Sequence, residues 1–134
     1  MPHPRKRYRV LVVDDEEIIA STLATILRNS GFEATHFSSP LEALRVAQAD
    51  APDLLISDVA MPLLSGVELA IAVRKHCPDC KILLFSGQAF TAHLLEAARK
   101  DGHDFELLMK PIHPTDLLKK VQKVTETIPP SAAD

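Results

Sequence analysis

Short apolar runs alternate with amphipathic helical patterns along almost the whole chain, and this alternation constrains the fold more than any other feature. Five runs have the length of a strand, and they occupy Arg9–Val13, Phe32–Phe37, Asp53–Asp58, Lys81–Phe85 and Phe105–Met109. Their nearly continuous apolar character is typical of parallel strands that helices cover on both faces. The pattern therefore predicts an α/β fold, a doubly wound, five-stranded parallel sheet with helices on both faces.

Local signals place the ends of the helices between these strands. Ser39 and Ser65 precede helical patterns, and Thr115 is predicted to cap the last helix. Gly31 and Gly102 follow the first and fourth helices, where a left-handed residue commonly ends a helix. Each strand is therefore joined to the next by one helix of defined length.

The length of 134 residues suits a single domain. We expect residues 9–127 to form this domain and residues 1–8 to form a flexible basic N-terminal arm. Residues 128–134 are expected to form a flexible tail or the stub of a linker. A stand-alone protein and a fragment of a longer regulator both fit this division.

The composition excludes several classes of protein. The net charge of -3 shows no basic excess that would indicate nucleic-acid binding. No apolar run is long enough to cross a membrane or to serve as a signal peptide, and two cysteines are too few for a disulfide scaffold. We therefore expect a cytoplasmic protein that binds neither nucleic acid nor membrane.

Charged and hydroxyl side chains recur where the predicted strands end. Asp14 and Asp15 follow the first strand, Asp58 ends the third, Ser86 follows the fourth and Lys110 follows the fifth. The carboxyl ends of parallel strands meet at one edge of the sheet, which is where doubly wound folds bind ligands. These five side chains are therefore expected to converge on one site.

The charges of this set indicate its chemistry. Three neighbouring carboxylates repel one another, and one of them would bind a proton unless cations lay among them. Lys110 supplies one positive charge, and Mg²⁺, which prefers oxygen ligands, would balance the rest. Such a site suits a phosphoryl group, with Asp58 placed as the nucleophile that forms an acyl phosphate.

Four short motifs carry a resemblance to a known family. They are Val12-Val13-Asp14-Asp15-Glu16, Asp58-Val59-Ala60-Met61-Pro62 with Gly66 eight residues after the aspartate, Ser86-Gly87, and Lys110-Pro111. Together they resemble the receiver domains of two-component response regulators, over about residues 8–127, and the single-domain chemotaxis type is nearest in size. The resemblance implies a flavodoxin-like sheet with strand order 2-1-3-4-5.

The resemblance also implies how the site binds its metal ion. Asp58 would be the phosphoacceptor, and it would bind Mg²⁺ directly together with Asp15. Asp14 would bind the ion through water, and Ala60 would bind it through the backbone carbonyl. The cofactor that the resemblance implies is therefore Mg²⁺ alone.

The same resemblance implies a signalling role rather than that of a turnover enzyme. Ser86 and Lys110 would bind phosphoryl oxygens, and the bond before Pro111 would be cis. The phosphoryl group would come from a phosphohistidine on a histidine kinase or a histidine phosphotransfer protein. Phosphorylation would then alter the face made by the fourth helix, fifth strand and fifth helix. An unknown downstream protein, or a second copy in a homodimer, would bind that face.

Two departures from the family pattern change these expectations. Leu107 stands where family members usually carry an aromatic residue that swings inward, and Phe105 lies two residues earlier on the same predicted strand face. A switch based on an aromatic rotamer is therefore in doubt. Ala60 and Gln88 occupy the positions that tune loss of the phosphoryl group, and neither is charged. This predicts a long-lived phosphorylated state.

Three alternatives to a functioning receiver domain fit the residues less well. A pseudo-receiver that acts as a dimerisation module would be expected to lack one of the five groups, and all five are present. An aspartyl-nucleophile phosphatase needs a general acid two residues after Asp58, where this chain has Ala60. Asp14 and Asp15 could merely cap the first helix, but that leaves Asp58 and Lys110 unexplained.

Cys77 and Cys80, which follow His76, suggest a metal or redox site. A structural zinc site needs four ligands, commonly two pairs, and the chain has no second pair. A redox pair normally lies at a helix N-terminus, whereas this pair follows a predicted helix end. Both observations disfavour a functional role for the two thiols.

Overall fold

A computed structural model describes residues 8–87 and 91–125 of the chain. In these residues five strands alternate with five helices, as the sequence pattern predicts. Their order is β1 (Arg9–Val13), α1 (Glu17–Asn29), β2 (Glu33–Phe37), α2 (Pro40–Ala49), β3 (Leu54–Asp58), α3 (Gly66–His76), β4 (Lys81–Ser86), α4 (Thr91–Lys100), β5 (Glu106–Met109) and α5 (Pro114–Thr125).

All five strands pair in parallel in one sheet with the order β2-β1-β3-β4-β5. This confirms the predicted α/β fold and strand order. The register pairs Val13 with Phe37 and with Ser57, Asp58 with Phe85, and Ser86 with Met109. The carboxyl ends of the strands therefore lie along one edge, which we call the carboxyl edge, and their first residues lie along the opposite amino edge.

Each face of the sheet carries its own apolar core. Leu11 and Val13 contribute to a core under α2, α3 and α4, whereas Val10 and Val12 contribute to a core under α1 and α5. Every residue of β3 is buried. Because side chains alternate between faces along a strand, continuous apolar runs are what a sheet covered on both faces requires.

The predicted helix signals at Ser39 and Ser65 are confirmed. The Ser39 hydroxyl accepts from the Glu42 N–H at 3.3 Å, and Ser65 forms a reciprocal capping box with Glu68. The prediction for Thr115 is wrong, because Thr115 lies inside α5 and its N–H donates to His113 Nδ1 at 3.2 Å.

Gly31 and Gly102 follow α1 and α4 with positive φ angles of 98° and 92°, as a helix-ending left-handed residue requires. Three predicted strands begin one residue too early, since Phe32, Asp53 and Phe105 precede β2, β3 and β5. The fourth runs one residue further than predicted and includes Ser86. These shifts leave the topology unchanged.

The two predicted flexible ends lie almost wholly outside the described residues, since only Tyr8 of the basic arm is described. The division into an arm, a domain and a tail therefore stays a prediction. Within the described ranges, the helices are too short or too polar for any of them to cross a bilayer.

Candidate functional site

Three aspartates converge at the carboxyl edge. Asp14 and Asp15 follow β1, Asp58 ends β3, and one carboxylate oxygen from each lies within 4.8 Å of the others. Asp14 is fully buried and Asp58 is 5% exposed, whereas Asp15 is exposed. A pocket of about 260 Å³ opens above Asp58, and its lining residues are Asp15, Glu16, Asp58, Ala60, Gly87 and Lys110.

Lys110 follows β5, the strand at the end of the sheet beyond β4, and its side chain extends into this acidic cluster. Its Nζ lies 3.2 Å from Asp14 Oδ2 and 3.5 Å from Asp58 Oδ1. The same ammonium group lies 5.2 Å from the centre of the Phe85 ring, a favourable cation–π distance. Two carboxylates and an aromatic face therefore hold the lysine head inside the pocket.

Backbone hydrogen bonds at the ends of the strands position these side chains. The Asp14 N–H donates to the Phe37 carbonyl at 3.1 Å, and the Lys110 N–H donates to the Ser86 carbonyl at 2.9 Å. Sheet pairing thus continues just past β1 and β5. Asp14 and Lys110 are therefore held by the sheet itself rather than by its loops.

The interpretation of Asp14 and Asp15 as mere helix caps is wrong. The N-cap of α1 is Glu16, which forms no side-chain cap hydrogen bond. Asp14 Oδ1 accepts from the Glu16 N–H at 2.8 Å, which orients the carboxylate beside Asp58 and Lys110.

The charges of the pocket do not balance without a further cation. Burial raises the pKa of Asp58 to about 6, although Lys110 partly offsets this effect. Burial also raises the pKa of Asp14, against the opposing Glu16 N–H and Lys110. Burial alone would lower the pKa of Lys110, but the attraction of Asp58 and Asp14 raises it overall. One ammonium faces three carboxylates, so the site favours a bound cation.

The donor set fits a hard cation such as Mg²⁺. The clustered ligand atoms are all carboxylate oxygens, and the described residues form no other such group of three His, Cys, Asp or Glu side chains. Mg²⁺ binds through one or two carboxylates, keeps several waters and accepts substrate oxygens. Ala60 lines the same pocket as Asp58.

Ser86, the last residue of β4, is fully buried and lies one position beyond Phe85, the partner of Asp58 in the register. It is therefore placed beside the phosphoacceptor candidate on the neighbouring strand. The bond between Lys110 and Pro111 is cis, as the resemblance implies. Gln88 lies outside the described residues, so its predicted role stays a prediction.

Phe105 and Leu107 pack against the same core, on the face that α3 and α4 cover. The Phe105 ring stacks on His103 at 5.8 Å between centroids, and the Arg74 guanidinium lies 5.4 Å from its centre. Phe105 is thus held among side chains next to the amino end of β5. The parts that Leu107 and Phe105 would take in a switch stay predictions.

Two residues near the site were not explained by the sequence analysis: Ser57 was not predicted to contribute, and Gly66 was named only as part of a motif. Ser57 donates its hydroxyl hydrogen to the Asp58 carbonyl at 2.9 Å, and its polarity within an apolar run was the available signal. A Cβ at Gly66 would collide with that same carbonyl oxygen, so only glycine fits there. The motif contained Gly66, but its reason is tertiary.

The two thiols lie at the amino edge, far from the aspartates in the topology. Cys77 Sγ donates to the Ala47 carbonyl at 3.6 Å, and Cys80 Sγ donates to the Lys81 carbonyl at 3.3 Å. Burial raises the pKa of both thiols, that of Cys80 to about 12. Protonated, buried thiols are poor nucleophiles and poor metal ligands, so they pack the fold.

Comparison with known proteins agrees with this geometry. The chain is 31% identical over 116 residues to the response regulator receiver protein CpdR of Brucella abortus, covering 87% of this chain and 95% of that protein. It is 29% identical to the chemotaxis protein CheY of Thermotoga maritima, covering 88% and 98% respectively. It spans only 48% of the transcriptional regulatory protein PrrA of Mycobacterium tuberculosis.

Solved structures show the same architecture. The chemotaxis response regulator CheY4 of Vibrio cholerae superposes with a TM-score of 0.78 at 31% identity, covering 89% of this chain and 99% of that one. A CheY-like receiver domain protein from Methanospirillum hungatei gives a TM-score of 0.81 at 29% identity, covering 90% and 96%. The sequence model of the response regulator receiver domain matches residues 10–122, so the chain belongs to this family of signalling modules.

Proposed function

We propose that this domain takes a phosphoryl group on Asp58 from a phosphohistidine on a histidine kinase or a histidine phosphotransfer protein. The observation that carries the proposal is the placement of Asp58. Its carboxylate lies 5% exposed at the floor of a pocket, 3.5 Å from Lys110 and among two further carboxylates. Such a group is a nucleophile that a phosphoryl group can reach through the pocket, once a cation neutralises its neighbours.

In the transfer, a carboxylate oxygen of Asp58 forms a bond to phosphorus as the bond from phosphorus to the donor imidazole nitrogen breaks. The imidazole carries a proton from solvent on its other ring nitrogen, so it leaves as a neutral ring, and an acyl phosphate remains on Asp58. Asp15, Asp58 and the Ala60 carbonyl would hold Mg²⁺, with Asp14 acting through water, and the ion would supply positive charge for the phosphoryl oxygens.

Two side chains of this chain then bind the new group. The Lys110 ammonium pairs with a phosphoryl oxygen in place of the contacts that it makes with Asp14 and Asp58. The Ser86 hydroxyl donates to another oxygen. Because Ser86 ends β4 and Lys110 follows β5, their movement alters the face of α4, β5 and α5. A downstream protein, or a second copy of the chain, binds that face.

The phosphorylated state is proposed to be long-lived. Ala60 lines the pocket and carries no polar side chain that could position an attacking water. Gln88 is uncharged and is assigned to the second position that tunes hydrolysis. A half-life of seconds for the acyl phosphate would contradict this part of the proposal.

Incubation with acetyl phosphate and Mg²⁺, followed by intact-mass measurement, tests the function. The unmodified chain should gain one phosphoryl mass, whereas Asp58→Asn and a sample treated with EDTA should gain none. A chain that stays unmodified with Mg²⁺ and acetyl phosphate would instead be a pseudo-receiver. Gel filtration before and after treatment would then measure any dimer.

A further inference from the structure

Phe85 is the largest of the fully buried side chains that the structure describes, and it belongs both to a core and to the carboxyl edge. It pairs with Asp58 in the register of β3 and β4 and packs in the core under α1 and α5. The other buried side chains of that core are all aliphatic, so packing alone does not explain an aromatic ring. What distinguishes Phe85 is its contact with Lys110, whose Nζ lies 5.2 Å from the ring centre.

The end of β4 holds Lys110 at three points. The Lys110 N–H donates to the Ser86 carbonyl at 2.9 Å, which fixes the lysine backbone. A Cβ on Gly87 would lie 3.5 Å from Lys110 Cβ and 3.8 Å from Lys110 Cδ, so the stem of the side chain runs along the Gly87 backbone. The ammonium group then lies at the Phe85 ring. Three consecutive residues therefore place the backbone, the stem and the head of the lysine.

The contact between the ammonium and the ring forms where little water reaches it. Phe85 is fully buried, and the Lys110 side chain is 24% exposed. The attraction between a cation and an aromatic face is stronger where water does not compete for the cation. The exposed part of the lysine side chain gives the ammonium a way out to solvent, and the ring opposes that movement.

The two carboxylates that hold the Lys110 head are groups that the proposed reaction occupies. Asp58 Oδ1, at 3.5 Å from Nζ, belongs to the residue that becomes the acyl phosphate. Asp14 Oδ2, at 3.2 Å, belongs to the cluster that fits a hard cation, and such a cation repels the ammonium. The Phe85 ring is neutral and offers no oxygen ligand. Of these three partners, it is the one that both steps leave unchanged.

We propose that Phe85 is a positioning residue for phosphorylation, because its ring keeps the Lys110 ammonium in the pocket while the carboxylates take up a cation and a phosphoryl group. The inference rests on the proposed function, in which Lys110 pairs with a phosphoryl oxygen. The ring does not line the pocket above Asp58, so it acts through the lysine alone. Without the ring, the ammonium moves outward when its carboxylate partners are occupied, and loading slows because the lysine is no longer in place.

The test changes the charge distribution of the ring and nearly keeps its shape. Fluorine atoms withdraw electrons from the face of the ring and so weaken its attraction for a cation. The full chain is produced with monofluorophenylalanine or trifluorophenylalanine in place of Phe85 alone. The rate constant of loading by acetyl phosphate with Mg²⁺ is then followed by intact-mass measurement.

Loading should slow about twofold with one fluorine and about tenfold with three, because each substitution weakens the contact. Phe85→Leu, which removes the aromatic face and keeps an apolar side chain, should also slow loading about tenfold. Leu83→Ala is the matched control, because Leu83 is fully buried on the same strand and in the same core. It should destabilise the domain more than Phe85→Leu does and change the rate of loading less than about twofold.

A second measurement needs neither metal nor phosphoryl donor. Urea unfolding in EDTA measures the effect of the trifluorinated ring on stability, first with Lys110 and then with Lys110→Met, which has a similar length and no charge. Trifluorination should lower the equilibrium constant for folding at least about threefold more with Lys110 than with Lys110→Met. Equal changes in both backgrounds would show that the ring does not hold the ammonium.

The loading experiment separates failure of this inference from failure of the proposed function. If the trifluorinated chain loads at the unmodified rate, Phe85 is not a positioning residue, while the proposed function stands. If Leu83→Ala slows loading as much as Phe85→Leu, the effect comes from core packing. Failure of the unmodified chain to load with Mg²⁺ and acetyl phosphate would remove the proposed function, and this inference with it.

Discussion

The two edges of the sheet distribute charge and apolar surface in opposite ways. At the carboxyl edge, Asp14 and Asp58 are buried while Ile18 and Leu63 are exposed. At the amino edge, charges lie nearer solvent and apolar groups are inside. Arg9 pairs with the exposed Asp50 at 3.1 Å, and both cysteines are buried. The amino edge thus follows ordinary rules of burial, whereas the carboxyl edge inverts them.

This difference separates stability from function. Buried like charges destabilise a fold, and an exposed leucine with positive φ adds strain, so neither is retained for stability. Both lie at the carboxyl edge of the sheet. The amino edge and the two cores therefore stabilise the domain and offset the unfavourable arrangement at the other edge.

The largest expected effect is that of Gly66→Ala. The added Cβ would collide with the Asp58 carbonyl oxygen, so we expect a loss of about 3 kcal/mol in unfolding free energy, measured by urea titration. Gly87→Ala is the matched control, because its Cβ would meet Lys110 only at ordinary contact distance, 3.5 Å. Equal stability of the two variants would refute the close approach at Gly66.

Lys110→Gln should destabilise the metal-free domain by about 2 kcal/mol, because it leaves Asp14 and Asp58 buried without their cation. Arg9→Gln at the amino edge should cost less than about 1 kcal/mol, since its partner Asp50 is exposed. Urea unfolding in EDTA measures both. A larger loss for Arg9→Gln would reverse the comparison of the edges.

Asp58→Asn should stabilise the metal-free domain by about 1–2 kcal/mol at pH 7.5. The folded pKa of Asp58 is about 6, above its ordinary 3.8, so the folded state binds the proton more tightly. Stability therefore falls as the pH rises from about 4 to 6 and the carboxyl ionises.

The gain from Asp58→Asn should accordingly vanish below pH 4 and shrink when Mg²⁺ is added. Asp53→Asn at the amino edge is the control, and we expect it to lower the unfolding free energy instead of raising it. The reason is that the Asp53 carboxylate accepts a hydrogen bond from the Arg9 N–H at 2.9 Å. Unfolding in urea across this pH range measures both variants. A stabilising Asp53→Asn would show that acidic residues at both edges are unfavourable.

The smallest effect on phosphorylation is expected for the double variant Cys77→Ala, Cys80→Ala. We expect a loss of about 1–2 kcal/mol from the smaller side chains and no change in phosphorylation by acetyl phosphate. Because burial raises the pKa of both thiols, iodoacetamide should leave them unmodified in the folded protein at pH 8. Rapid alkylation, or a change in phosphorylation, would show that the amino edge also takes part in function.

Much of the site could be predicted because parallel strands converge by topology. Asp14, Asp58 and Lys110 were placed together from their positions at strand ends alone, and they lie within hydrogen-bonding or ion-pair distance. The cap at His113 and the contact of Gly66 with Asp58 could not be predicted. Each depends on a distance between groups that local sequence patterns do not encode.

The sequence by itself determined the order of strands and helices, the two-sided core and the family, because apolar periodicity and motif spacing follow directly from the residues. Only the tertiary structure decided which carboxylates are desolvated and how Lys110 is shared between them. It alone also showed that Leu63 is strained and exposed. Burial, pKa and backbone strain are properties of the packed chain, because they depend on neighbours that are distant in sequence.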